Sequence, residues 1–123
     1  MTQTALFTGA SSGIGLAFAQ VLAREGYNLI LVARSEDKLN SLKQELASQH
    51  SIDAVVLVHD LTQTEQVQQL FEQIKQQSLT VDVLINNAGY GDYGEFADSD
   101  WEKLQGMILL NVLALTHLSR LFL

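Results

Sequence analysis

The chain has 123 residues, of which 47% are hydrophobic, and this predicts a single small globular domain spanning residues 1–123. Fourteen acidic residues against seven basic ones give a formal net charge of -7, which opposes binding to nucleic acid or to an anionic membrane through bulk electrostatics. The absence of cysteine excludes disulfides, thiolate metal sites and a cysteine nucleophile, and it favours a reducing, cytoplasmic setting.

Short β-rich runs alternate with helical ones along the chain. We predict strands over residues 5–8, 28–33, 54–58 and 81–86, and one or two helices over residues 98–123. The three intervening helices have apolar residues spaced for one buried face: Ile14, Ala17, Phe18, Val21 and Leu22; Leu39, Leu42 and Leu46; and Val67, Leu70, Phe71 and Ile74. This alternation predicts an α/β fold, a doubly wound parallel sheet of the Rossmann type.

Capping residues indicate where two of these helices begin. Ser35 precedes Glu36 and Asp37, so we expect the second helix to start after Ser35. Thr62 and Glu65 have the spacing of a capping box at the third helix.

A glycine-rich turn follows the first predicted strand, at Thr8-Gly9-Ala10-Ser11-Ser12-Gly13-Ile14-Gly15. Gly9 permits a tight turn, Gly13 removes a side chain where a pyrophosphate must approach the backbone, and Gly15 lets the helix pack closely on the strand. Ser11 and Ser12 add hydroxyl donors, and backbone amides at the helix start, around Ile14, would face the phosphates. The pattern indicates a dinucleotide-phosphate site, with an ordinary glycine turn as the alternative.

Two motifs carry a family resemblance. The run from Thr8 to Gly15 has the form Thr-Gly-x-x-x-Gly-x-Gly, and Asn86-Asn87-Ala88-Gly89 follows the fourth predicted strand. With these motifs the chain resembles the N-terminal half of a classical short-chain dehydrogenase/reductase. The resemblance extends over essentially the whole chain, about half of a family member. It implies NAD(P) binding and an oxidoreductase that acts on small-molecule carbonyls or alcohols.

The end of the second strand bears on the choice of cofactor. An NAD site usually places a carboxylate there to bond the ribose 2′-hydroxyl, and this carboxylate would repel a 2′-phosphate. The chain has Arg34 and Ser35 instead, a planar cation and a hydroxyl that suit a phosphate. We therefore predict NADP(H) in preference to NAD(H). The alternative is a solvated Arg34 that pairs with Glu36 or Asp37.

The resemblance assigns further contacts to the ends of the third and fourth strands. It implies that Asp60 bonds the adenine amino group while the Leu61 backbone lies alongside, although Asp60 could instead be a plain helix-entry acid. Asn87, Ala88 and Gly89 would line the ribose on the nicotinamide side. For Asn86 we expect a role in tying neighbouring strands together.

Asn111 is the one catalytic candidate. A polar amide in the apolar run from Met107 to Leu113 needs hydrogen-bond partners if it is buried. The resemblance implies that it holds a water in a proton relay, and the alternative is an amide that satisfies local backbone. We expect no metal site, because His50, His59 and His117 lack a ligand spacing.

The residues that would carry out the reaction are missing. The family supplies a serine after a fifth strand and a Tyr-x-x-x-Lys pair, but the positions four residues after Tyr27, Tyr90 and Tyr93 hold no lysine. We expect the fold to stop after the fourth strand and its following helix, as part of a longer protein, and the chain to be inactive alone. The alternative function is a non-catalytic dinucleotide-binding module.

The last helical run ends at Leu121-Phe122-Leu123 without a cap. We expect its apolar face to mediate homo-oligomer formation. The run from Met107 to Leu123 is interrupted by polar residues and reads as too short to span a membrane, and residues 5–7 are too short for a signal peptide.

Overall fold

The computed structural model describes residues 2–9, 13–89 and 95–123, and it leaves the side chains of residues 13 and 14 undescribed. Four strands and five helices follow one another: β1 (Thr4–Thr8), α1 (Gly13–Arg24), β2 (Asn28–Ala33), α2 (Glu36–Gln49), β3 (Ala54–Val58), α3 (Thr64–Gln76), β4 (Val83–Ile85), α4 (Trp101–Ile108) and α5 (Leu115–Phe122). A 3-10 turn at Phe96–Asp98 precedes α4, and a π-helical segment at Leu109–Ala114 joins α4 to α5 in one continuous helix.

All strand pairs are parallel, and the sheet order is β3-β2-β1-β4. Successive residues of a strand point to opposite faces, so each strand contributes side chains to the hydrophobic clusters on both faces of the sheet. Phe7 and Leu31 pack towards α1 and α2, whereas Leu6 and Ile30 pack towards α3 and α5. The predicted doubly wound parallel α/β fold is confirmed.

The strand boundaries agree with the sequence in β2 and β3 and differ in β1 and β4. β2 and β3 begin and end where they were expected, while β1 starts one residue earlier, at Thr4. β4 is limited to Val83–Ile85, shorter than the predicted 81–86. Beside it Asp82 pairs with the start of β1, because its N–H donates to the Thr4 carbonyl and its Oδ2 accepts from the Thr4 N–H at 2.9 Å.

The buried face of α1 differs from the predicted one. Phe18 and Val21 are 44% and 43% exposed, whereas Ala19 and Ala23 are buried together with Leu22. Ala19, Leu22 and Ala23 belong to the core between α1, α2 and the sheet. Phe18 covers the edge of the core from outside, with its ring 5.7 Å from that of Phe7.

The predicted start of α2 is confirmed, whereas the capping box predicted at the start of α3 is wrong. Ser35 caps α2, where its Oγ accepts from the Lys38 N–H at 3.5 Å. The capping box at α3 does not form, since the cap residue is Gln63 and makes no side-chain cap bond. The Thr62 hydroxyl donates to Asp60 Oδ1 at 2.6 Å instead, because the Asp60 carboxylate competes with the start of the helix for this hydroxyl. The predicted buried residues Leu39, Leu42 and Leu46 of α2, and Val67, Leu70 and Ile74 of α3, are confirmed.

The continuous helix from Trp101 to Phe122 has 22 residues, and its most apolar stretch of 18 residues has a mean hydropathy of 1.2. It begins before Met107, so it is longer than the apolar run that the sequence singled out. By length and composition alone it could cross a membrane, although one such helix is weak support for a span. Only 11% of its most apolar part is buried, so most of this part faces away from the described core.

Candidate functional site

A cavity of about 810 Å³ opens where all four strands end at their carboxyl edge. This edge of a doubly wound sheet is where ligands bind, and the volume falls within the range of small-molecule pockets. Nine of the predicted cofactor-binding residues line it: Gly9, Gly15, Arg34, Ser35, Asp60, Leu61, Asn87, Ala88 and Gly89. The fold thus brings together residues that lie up to 80 positions apart in the sequence.

The glycines after β1 are required by packing against the fourth strand's motif. Gly9 has φ +68°, and a Cβ there would lie 2.9 Å from the Ala88 Cα. A Cβ at Gly15 would overlap the Gly9 carbonyl and the Asn87 amide. The absence of side chains at these positions lets α1, the turn and the end of β4 meet at the floor of the cavity.

The Thr8 side chain joins the glycine turn to the fourth-strand motif through hydrogen bonds. It is 1% exposed, and its Oγ1 accepts hydrogen bonds from the N–H groups of Asn87 and Ala88, both at 3.0 Å. The same hydroxyl donates to the Ile85 carbonyl at 3.3 Å, and Asn87 Nδ2 donates to the Gly9 carbonyl at 3.0 Å. The backbone of residues 87–88 is therefore held in place before any ligand binds.

Three donors stand at the end of β2. Arg34, Ser35 and Lys38 line the same part of the cavity, with Arg34 and Lys38 exposed and Ser35 half-buried. In the part of the chain that the structure describes, Arg34 makes no ion pair with Glu36 or Asp37, which was the alternative considered for it. The guanidinium and the ammonium are therefore available to an anion at this end of the cavity.

Asp60 is held by its own neighbours at the end of β3. Its Oδ1 accepts from the Thr62 N–H at 3.0 Å as well as from the Thr62 hydroxyl, and its N–H donates to Gln66 Oε1 at 2.7 Å. One carboxylate oxygen thus binds Thr62 just before α3, which is the role that the alternative interpretation of Asp60 as a helix-entry acid predicted. Both of these carboxylate contacts engage Oδ1, and both Asp60 and Thr62 line the cavity. The Leu61 side chain, 5% exposed, belongs to the core.

The Asn111 side chain lies next to Gly89, which lines the cavity. A Cβ at Gly89 would lie 2.7 Å from Asn111 Oδ1, so a larger residue at this position would have to displace the Asn111 carboxamide. Asn111 lies in the π-helical segment and is exposed rather than buried, so burial is not the reason for a polar residue here. Leu110, its neighbour, lines the cavity.

The expectation for Asn86 is wrong. Its Nδ2 donates to Ser119 Oγ at 3.2 Å, so it ties the end of β4 to α5 and not to another strand. Asn87 joins the ends of β4 and β1 instead, because its side chain donates to the Gly9 carbonyl. Because successive residues point to opposite faces, a shift of one position exchanges the two roles.

Some predicted residues lie outside the described part of the chain. Ser11 and Ser12 are not described, and only the backbone of Gly13 and Ile14 is. Tyr90 and Tyr93 also fall outside it. Among the described residues, no group of three or more His, Cys, Asp or Glu could hold a metal ion.

Sequence reasoning missed Lys38 and Thr8. Lys38 follows Arg34 by four positions at the start of a helix, and that spacing could have indicated a second cation beside the first. Thr8 is the first residue of the glycine motif, but the sequence assigned it no contact of its own, because its role depends on the position of β4. His59 also lines the cavity, with its Nε2 2.8 Å from Gln73 Oε1.

Comparisons with known proteins agree with this geometry. The family model for short chain dehydrogenases matches residues 3–123. A very-long-chain 3-oxoacyl-CoA reductase of Phaeosphaeria nodorum is 36% identical over 95% of this chain and 36% of its own length. A short-chain dehydrogenase of Sphingobium yanoikuyae, solved with NADPH, is 35% identical, with a TM-score of 0.89 over 98% of this chain and 46% of its own.

An alcohol dehydrogenase of Thermococcus sibiricus, solved with 5-hydroxy-NADP, has a TM-score of 0.92 and 33% identity over 99% of this chain and 52% of its own. The chain spans between about a third and a half of the length of these relatives. The family match covers nearly all of the chain, and the fold and the two motifs agree with it. The chain belongs to the short-chain dehydrogenase family.

Proposed function

We propose that this chain binds NADP(H) in the cavity at the carboxyl edge of the sheet and forms the cofactor-binding part of an oxidoreductase. Its substrate class would be small-molecule carbonyls or alcohols, which exchange a hydride with the nicotinamide. The observation that carries the proposal is the convergence of both motifs and of Arg34 and Ser35 on one cavity. Two solved relatives bind NADPH or an NADP derivative, which supports the same cofactor class.

The cavity suits a dinucleotide along its whole length. A side chain at Gly9, Gly15 or Gly89 would meet neighbouring atoms, so the floor is bare backbone where a pyrophosphate and a ribose must come close. The Asp60 carboxylate can accept from an adenine amino group, and Asn87, Ala88 and Gly89 lie beside the place for the nicotinamide ribose. The bound cofactor would supply the hydride, while these residues bind and orient it.

The preference for NADP(H) depends on charge at the end of β2. Arg34 offers a forked, permanently charged donor to a 2′-phosphate, and Ser35 adds a hydroxyl. No carboxylate occupies position 34, where one would repel that phosphate.

Dissociation constants for NADPH and NADH, measured by calorimetry on the purified chain, test this proposal. We expect NADPH to bind about tenfold more tightly, because a phosphate held by a guanidinium and a hydroxyl gains more than one exposed charge contact. The Arg34→Gln variant should lose most of that difference, while NADH affinity stays the same. Equal affinities in the unmodified chain, or tighter NADH, would overturn the assignment.

We further propose that Asn111 belongs to the proton relay of the complete enzyme. Its carboxamide touches Gly89, beside the predicted place for the nicotinamide ribose. The alternative, a dinucleotide-binding module without catalysis, is favoured by one observation, since none of the three tyrosines is followed by a lysine four positions later.

A further inference from the structure

Two residues that follow β3 hold Asp60 by its side chain and by its backbone. The Thr62 hydroxyl and the Thr62 N–H both donate to Asp60 Oδ1, at 2.6 Å and 3.0 Å. From the first turn of α3, Gln66 Oε1 accepts from the Asp60 N–H at 2.7 Å. All three residues are half-buried, so water has only partial access to these bonds. Asp60 is therefore fixed at its carboxylate by Thr62 and at its backbone by α3.

The two carboxylate oxygens of Asp60 differ in their surroundings. Oδ1 accepts both bonds from Thr62, whereas Oδ2 accepts no hydrogen bond from the residues that the structure describes. An ionised carboxylate offers about four acceptor positions, shared between its two oxygens. Since Asp60 lines the cavity, Oδ2 is the oxygen with open acceptor positions for an N–H or O–H group that enters there.

We propose that Thr62 and Gln66 are positioning residues that orient Asp60 Oδ2 towards the amino group of the adenine. The inference rests on the proposed NADP(H) site, in which Asp60 bonds this group, and it adds the residues that orient the carboxylate. The Thr62 hydroxyl opposes rotation of the carboxylate about its Cβ–Cγ bond, and Gln66 restrains the backbone. The acceptor is then oriented before the cofactor binds, so less conformational freedom is lost on binding.

An oriented Oδ2 makes the site selective for the purine base. Adenine has an amino group at C6, which donates hydrogen bonds, whereas hypoxanthine has an oxygen there, which can only accept them. An ionised carboxylate also only accepts, so it favours the amino group and opposes the oxygen. NADPH and its hypoxanthine analogue, which differ in the base alone, therefore report how well Asp60 is oriented.

The test compares the dissociation constants of NADPH and of reduced nicotinamide hypoxanthine dinucleotide phosphate, measured by calorimetry on the 123-residue chain. We expect the unmodified chain to bind NADPH about tenfold more tightly, which is the effect of one hydrogen bond to a charged group. Thr62→Val removes the hydroxyl and keeps the backbone N–H, and it should lower this ratio about threefold through weaker NADPH binding. Gln66→Met removes the acceptor of the Asp60 N–H and should lower the ratio as well.

Two further variants serve as controls. Thr62→Ser keeps the hydroxyl and should retain the ratio of the unmodified chain. Thr64→Val is the matched control, because Thr64 is an exposed threonine two positions further along the chain and lies outside the cavity lining. It should leave both dissociation constants unchanged. Circular dichroism spectra that match the unmodified chain establish that the variants are folded.

Two results would overturn the positioning role and leave the proposed function intact. In both, the unmodified chain prefers NADPH, but Thr62→Val and Gln66→Met either keep that ratio or lose affinity for the two cofactors equally. An effect in only one of these variants would overturn the role of the other residue. If the unmodified chain bound both cofactors equally, the contact between Asp60 and adenine would be overturned, and the positioning role with it. A chain without measurable affinity for NADPH would overturn the proposed function itself.

Discussion

At the scale of single residues, the site is assembled by contacts between β1 and β4. The Thr8 hydroxyl receives two backbone N–H groups of the fourth-strand motif, and Asn87 donates to the Gly9 carbonyl in return. Gly9 and Gly15 leave room for these contacts. The two glycines therefore have a structural role in addition to the one proposed in binding phosphate, and it should be measurable without cofactor.

The Gly15→Ala variant separates the two roles. Alanine is favoured over glycine in a helix by about 1 kcal/mol. Here a Cβ would overlap the Gly9 carbonyl and the Asn87 amide, and overpacking of this kind costs about 1–3 kcal/mol or more. We expect the contact to outweigh the propensity, so that the free energy of unfolding falls by about 1 kcal/mol or more in urea titrations without ligand.

The control for this variant is Ala17→Gly, at an exposed position of the same helix. It should lose about 1 kcal/mol through propensity alone. A Gly15→Ala chain that is more stable than the unmodified one would show that α1 can move away from the turn without cost.

At the scale of elements, the continuous helix that ends the described chain has two different sides. Ala114 and Leu118 are buried against α3 and the sheet, and Ser119 holds Asn86. The opposite side exposes large apolar residues: Trp101 at 64%, Ile108 at 52%, Val112 at 58%, Leu113 at 45% and Leu115 at 39%. An exposed apolar surface of this kind indicates an interaction site.

We propose that this exposed side mediates association between copies of the chain. Light scattering at micromolar concentration should therefore give a mass above that of one 13.6 kDa chain. Val112→Asp should shift the population towards the monomer, because a charge at the centre of an apolar contact must lose its hydration. Val21→Asp, at a similarly exposed valine of α1, should leave the mass unchanged. A monodisperse monomer in the unmodified chain would contradict the proposal.

At the scale of the whole molecule, the polar groups assigned to the cofactor that the structure describes lie at one edge of the sheet. A right-handed strand-helix-strand step returns every strand to the same direction, so the ends of β1, β2, β3 and β4 open on one cavity. This arrangement can bind and orient a dinucleotide. Proton transfer to a carbonyl needs an acid in addition, and the chain has no tyrosine followed by a lysine four positions later.

The 123-residue chain should therefore bind NADPH without turning it over. Absorbance of NADPH at saturating concentration should stay constant in the presence of varied aldehydes and ketones. The matched measurement is NADPH binding on the same preparation, which shows that the site is formed. Oxidation of NADPH that depends on a carbonyl substrate would contradict this expectation and would require an acid other than the expected tyrosine.

The order of elements and the membership of the site could be read from the sequence. Strand periodicity located β2 and β3 to the residue, and the two motifs identified five of the residues that line the cavity. The ends of the second and third strands supplied Arg34, Ser35, Asp60 and Leu61. The face of α1 could not be read, because hydrophobic spacing favours the large residues Phe18 and Val21, whereas the helix buries the small residues Ala19 and Ala23 against the sheet. The π-helical segment around Asn111 has no sequence signature, since it depends on how the helix fits against its neighbours.

By itself the sequence determined the fold class, the family and the chemical types at the site, because alternation of elements and glycine spacing are local properties of a chain. Only the tertiary structure decided which partners those residues take. The Thr8 hydroxyl joins the two motifs, and the Asn86 side chain binds α5 instead of a strand. The Thr62 hydroxyl donates to Asp60 instead of capping α3, and Lys38 lines the same cavity as Arg34. Hydrogen bonds and packing depend on distances between segments far apart in the chain, and these distances are set when the sheet and its helices assemble.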